Sequence, residues 1–162
     1  MKNLFRLSAA MALALCAGCS SFQKKWDAAG QPGKYERASR WDGRWTSARH
    51  KAASGAPDGG RLRCVLEPGA DRKIVAHFRA NWQVFVANYD VTLSPKTPER
   101  TPAKAGEVVE FRGTHELPKM FGGTYRYDAR IADDRFSARY ESSYDSGKFE
   151  MTRQLTNATR FH

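Results

Sequence analysis

Thr124-Tyr125-Arg126-Tyr127-Asp128-Ala129-Arg130-Ile131-Ala132-Asp133-Asp134-Arg135-Phe136-Ser137-Ala138-Arg139-Tyr140 is the stretch that decides the fold. Tyr125, Tyr127, Ala129 and Ile131 share one parity, and Arg126, Asp128 and Arg130 the other. Beyond Asp133-Asp134 the pattern resumes, with Phe136, Ala138 and Tyr140 set against Arg135, Ser137 and Arg139. Successive side chains of a strand point to opposite faces, so a period of two with one apolar row predicts strands that are buried on one side and wet on the other. Asp tolerates the dihedrals of a tight turn, so Asp133-Asp134 joins the two strands as an antiparallel hairpin.

Working outward, the same period recurs in eight segments, at about 41–49, 60–67, 72–81, 83–94, 107–117, 123–132, 135–143 and 147–154. Pro68-Gly69-Ala70-Asp71 and Asp145-Ser146-Gly147 supply further turn chemistry, whereas the Pro- and Lys-rich run from Ser94 to Gly106 reads as a mobile loop. One apolar face per strand implies an antiparallel sheet, and closing that sheet on itself removes its unpaired edges. The predicted fold class is therefore all-β: an eight-stranded antiparallel up-and-down barrel over residues 41–154, with a two-sheet sandwich as the alternative. Residues 155–162 form a C-terminal tail.

The N-terminus is of another kind. Lys2 and Arg6 precede an apolar run from Leu7 to Leu15, followed by Cys16-Ala17-Gly18-Cys19-Ser20-Ser21. The run is shorter than the roughly 20 apolar residues that cross a bilayer, so residues 1–18 read as a signal peptide. Small residues directly before a cysteine resemble the lipobox of bacterial lipoproteins, with Cys16 standing where that pattern usually has Leu. The resemblance implies cleavage before Cys19, lipidation of Cys19 and a lipid-anchored protein of the cell envelope. Ser20 rather than Asp after the cysteine implies the outer membrane, facing the periplasm. Residues 20–40 are polar and rich in Lys and Arg, and with Cys19 they read as a flexible basic linker. As a random coil that linker would have an r.m.s. reach of roughly 25 Å.

The full chain carries a formal net charge of +10, and loss of Lys2 and Arg6 leaves a mature charge of about +8. For an exported protein the counterparts of such charge are anionic lipid, glycan or a protein partner rather than nucleic acid. Once Cys16 is removed and Cys19 acylated, only Cys64 remains. It alternates with Leu62 and Leu66 and reads as a small core residue.

The first strand opens Trp41-Asp42-Gly43-Arg44-Trp45-Thr46, and its Gly43-x-Trp45 resembles the entry motif of the calycins, the lipocalin and avidin superfamily of ligand-binding barrels. That resemblance implies that Trp45 plugs the closed end and that a basic side chain of the last strand, here Arg153, lies across its ring. The closing Gly147-x-Phe149-x-Met151-x-Arg153 is also similar to exported bacterial proteins of unknown function. The calycin Thr-Asp-Tyr motif is absent, and none of the family's ligand residues carries over.

No chemistry announces itself. His50, His77, His115 and His162 lie in separate segments without ligand spacing, so no metal or cofactor is expected. Neither a Gly-x-Ser-x-Gly elbow nor a Cys–His signature is present, and Ser142-Ser143 reads as strand surface. A non-enzyme is expected. Alternation turns Phe78, Phe85, Tyr89, Phe111, His115, Tyr125, Tyr127 and Tyr140 inward, as candidate contacts for a small apolar or aromatic ligand at the open end. An eight-stranded barrel can equally be filled by its own side chains. In that case the alternative is a non-catalytic envelope module that uses its basic exterior.

Overall fold

The computed structural model describes residues 21–30, 38–82, 85–97, 106–119 and 122–154. The segment expected to be a signal peptide, Cys19 and the tail 155–162 lie outside them, as does most of the Ser94–Gly106 loop. The strands are β1 (Ser39–Lys51), β2 (Pro57–Pro68), β3 (Ile74–Trp82), β4 (Phe85–Pro95), β5 (Val109–Glu116), β6 (Thr124–Ala132), β7 (Arg135–Glu141) and β8 (Ser146–Gln154). Each pairs antiparallel with the next, and β8 pairs with β1, giving the closed up-and-down barrel that the alternation predicts. The β6–β7 hairpin turns where expected, with Asp133 at φ 44°.

The interior is unequal along its axis. At one end Trp41, Leu66, Leu93, Phe111, Phe136 and Met151 are all at most 5% exposed, so that end is closed by side chains. The other end is the mouth, ringed by Trp82 and Phe85, which are 43% and 60% exposed. The expected plug is displaced. Arg153 stands opposite Trp41, while Trp45 stands opposite Phe149, four residues nearer the mouth. Arg153 is exposed and stands opposite Trp41 rather than Trp45, whose half-buried indole instead donates to the Asn81 carbonyl at 2.9 Å. The residue that closes the barrel is Trp41, 2% exposed and packed on Phe136 with ring centroids 6.2 Å apart. Its spacing from Trp45 keeps both on the inward row, which is why parity alone did not separate them.

Gly43 has a role that its neighbours define. A Cβ there would stand 2.0 Å from the Glu150 carbonyl oxygen and 2.6 Å from the Met151 Cα. Only glycine lets β1 approach β8 this closely, so this half of the Gly-x-Trp signature serves closure of the barrel.

The linker reading is corrected over part of its length. Residues 21–28 form a helix, α1, laid across the outer wall of β1 to β3. Phe22 and Trp26, four residues apart, stack on one face at 5.9 Å, and Phe22 is only 3% exposed. The Arg63 guanidinium lies 5.7 Å from the Phe22 ring and 5.2 Å from that of Trp26, with Arg79 over Phe22 and Arg40 over Trp26. Burial under the helix, reinforced by the charges of Arg79 and Arg61, pulls the Arg63 pKa down. Cation–π contacts are worth about 0.5–2 kcal/mol each, more as water is excluded. A helix this short does not hold alone in water, so docking is what makes it.

Candidate functional site

Among the described residues the barrel wall is paired over the fewest positions between β4 and β5. The β3–β4 ladder runs the length of both strands, whereas β4 and β5 pair only from Thr92↔Thr114 to Pro95↔Phe111. Beyond that, toward the mouth, the two strands part, and Tyr89 and His115 face each other with ring centroids 5.4 Å apart. A cleft of about 320 Å³ opens there. Phe78, Tyr89 and His115 line it from the barrel, and Ser21, Phe22 and Lys25 of α1 line it from outside. Such a volume lies at the lower end of the range of about 300–1,000 Å³ in which small-molecule clefts fall.

The lip of the cleft is polar. His77 is buried on the outward row, with Nδ1 2.7 Å from Asp90 Oδ1 and Nε2 3.2 Å from Glu67 Oε2. Lys25 reaches the same Glu67 carboxylate at 3.3 Å, so α1 is tied to the lip by charge as well as by its aromatic rings. The floor is aromatic: Phe78 stacks on Tyr89 at 5.4 Å and tilts against Phe149 at 5.4 Å. An apolar floor under a charged lip suits an amphipathic molecule.

Of the eight inward candidates, the structure brings Phe78, Tyr89 and His115 to this cleft. Phe111, Tyr127 and Tyr140 are each 5% exposed and belong to the packed core. Tyr125 is half-buried and leans on Tyr140 at 6.1 Å, and Phe85 sits on the rim. Sequence reasoning missed the α1 side of the cleft, although the aromatic pair at i, i+4 in Phe22 and Trp26 was its signal. It also missed the parting of β4 from β5, which no residue type marks.

A second cluster sits where β1 meets the β7–β8 turn. Asp145, 8% exposed, accepts hydrogen bonds from Ser47 Oγ at 2.6 Å, Tyr140 Oη at 2.8 Å and the Ser146 amide at 2.8 Å. His50 Nε2 stands 4.0 Å from Asp145 Oδ1. A serine, a histidine and an aspartate are thus close, but Ser47 donates straight to the carboxylate, and among the described residues no imidazole accepts from its hydroxyl. The Ser-His pairing of the serine hydrolases is therefore not formed here. Ser142, expected on the strand surface, is buried; its hydroxyl accepts from the Tyr144 and Asp145 amides and donates to the Asp145 carbonyl.

Among the described residues no group of three or more His, Cys, Asp or Glu side chains is gathered for a metal. Cys64 is wholly buried, and burial, with the Asp90 charge second, pushes its thiol well above the ordinary range. Burial likewise raises the phenols of Tyr89, Tyr127 and Tyr140. An acid whose folded pKa is raised contributes stability below its unfolded pKa and loses it as the pH climbs through the folded value. Unfolding free energy is therefore expected to hold up to about pH 8.5, where the thiol of an unfolded chain ionises, and to fall above it, more steeply beyond about pH 10 where the phenols follow. Urea titrations across that range check this, and Tyr127→Phe should flatten the fall. A profile level above about pH 10 would count against the buried phenols.

No protein-family model matches the chain, and no curated protein or solved structure matches it either.

Proposed function

We propose that this chain is a lipid-anchored protein of the bacterial cell envelope, attached through Cys19 to the outer membrane and facing the periplasm, whose barrel binds a small apolar or aromatic ligand without turning it over. The observation that carries the binding half is the cleft at the β4–β5 seam, with its aromatic floor of Phe78 and Tyr89 and its His115 wall. The lipobox-like Ala17-Gly18-Cys19-Ser20 supports the anchor. The eight-stranded barrel, with Gly43 at its closure, agrees with the calycin resemblance.

Two measurements test this reading. Metabolic labelling with an alkyne fatty acid should mark the protein and be lost in Cys19→Ser; equal labelling of both would remove the anchor. Titrating the Cys19→Ser chain with the apolar dye N-phenylnaphthylamine should give saturable fluorescence at one site per chain. Asn88 stands on the cleft lip, and Asn88→Trp, which sets an indole across it, should weaken binding about tenfold or more. Unsaturable dye uptake, or uptake indifferent to Asn88→Trp, would sink the cleft as the ligand site.

A further inference from the structure

We infer that the seam cleft is filled by an acyl chain of the lipid on Cys19, so that the anchor is the barrel's own ligand whenever the protein is off a bilayer. The inference rests on the proposed lipidation and on the cleft as a ligand site, and it names that ligand.

Three observations converge. The first is where the described chain begins. Ser21, at the start of α1, lines the cleft together with Tyr89 and His115. Cys19 is two residues earlier, and two extended residues span at most about 7 Å, so the acylated sulfur cannot be farther than that backbone span plus its own side chain. The second is that α1 is fixed. Phe22 is 3% exposed beneath Arg63 and Arg79, and Lys25 is paired with Glu67, so the start of the helix is held against the seam. The third is the chemistry of the lining. Tyr89, half-buried, and the edges of Phe22 and Phe78 give the cleft an apolar side, while Lys25, His77 and Asp90 give the same cleft a polar side suited to the ester and glycerol oxygens of a diacylglyceryl group.

The energetics favour the intramolecular event. Each methylene removed from water is stabilising, and a ligand on a short tether meets its site at an effective concentration in the millimolar range. Within a bilayer the same chain already has apolar surroundings, and the cleft loses that advantage. Occupancy therefore belongs to the protein in aqueous transit, where it shields one chain from water and excludes other apolar ligands.

The test uses three forms in detergent-free buffer: the acylated chain, its Cys19→Ser variant and acylated Asn88→Trp. Intact mass establishes the lipid first. Cys19→Ser is expected to bind hexadecanoate, and the acylated chain to bind it about tenfold more weakly or worse because its cleft is taken. Amide hydrogen exchange over residues 86–91 should be slower in the acylated chain than in Cys19→Ser and acylated Asn88→Trp. On phosphatidylcholine vesicles that protection should fall to the Cys19→Ser level. A mass without lipid defeats the lipidation reading and this inference with it, leaving the cleft to be judged on Cys19→Ser. Failure of Cys19→Ser to bind hexadecanoate defeats the cleft as an acyl site. Equal hexadecanoate affinity and equal exchange in the acylated and Cys19→Ser chains overturn the inference alone, and protection that persists on vesicles overturns its restriction to the aqueous state.

Discussion

Trp41→Ala is expected to lower the unfolding free energy by about 3–5 kcal/mol, the usual cost of truncating a large aromatic residue in a closed core. The indole is 2% exposed, faces Phe136 at 6.2 Å and stands in register with Cys64 on β2 and Arg153 on β8. Its Nε1 donates to Ser39 Oγ at 2.8 Å, so the ring is oriented as well as buried. The close approach of β1 to β8 at Gly43 limits how far the wall beside the ring can relax into the space. Trp45→Ala is expected to cost less. That ring is half-buried near the mouth, and its loss frees one carbonyl, that of Asn81, rather than opening a sealed cavity. Urea unfolding of both variants, with Trp41→Phe as a milder step, decides the matter through the midpoint at unchanged slope. A larger loss in Trp45→Ala than in Trp41→Ala would return the plug to Trp45.

The comparison of these two tryptophans shows what the sequence could and could not convey. Parity along β1 puts Trp41, Gly43 and Trp45 on one row, and that row does face inward. What parity lacks is height along the barrel axis, which depends on the shear between β1 and β8 and is set by hydrogen-bond register. The same limit explains the eight candidate contacts. All were placed on the inward row, but axial position separates Phe111 in the sealed end from Phe85 on the rim. The strands themselves were legible because a half-buried sheet imposes its period on every residue. Helix α1 was hidden for the opposite reason: eight residues supply barely two turns, and its apolar face is two aromatic side chains whose partners, Arg63 and Arg79, lie far along the chain. The structural consequence is mechanical. A flexible linker of roughly 25 Å reach would leave the barrel free to tumble above its anchor. A docked α1 couples the described N-terminus to the wall of β1 to β3 and sets Ser21 beside the β4–β5 seam.

Asp145→Ala is the second large effect expected, at about 3 kcal/mol of lost stability, because it strands three donors in a space that water reaches poorly. Ser47 Oγ, Tyr140 Oη and the Ser146 amide all converge on this carboxylate, and an unsatisfied buried donor costs about 1–3 kcal/mol. The turn chemistry of Asp145-Ser146-Gly147 was visible in the sequence, but the burial of its first residue was not. It arises because Gly147 lets β8 come within contact of Thr46 on β1, where a Cβ would stand 2.0 Å from the Thr46 carbonyl oxygen. That approach draws the turn over the end of β1 and encloses the carboxylate. The network then works as a clasp: Ser47 holds the β1 terminus through its own amide partners Arg49 and His50, and Asp145 holds Ser47. Asp145→Asn keeps the acceptor oxygen and is expected to recover part of the loss, and Tyr140→Phe, which removes a single donor, should cost about 1 kcal/mol. Denaturant midpoints give the ordering, and amide exchange at Ser47 to His50 gives the location, since the clasp predicts faster exchange there while the closed end around Trp41 stays protected. Exchange that rises uniformly around the barrel would mean that Asp145 stabilises the fold as a whole and clasps nothing in particular.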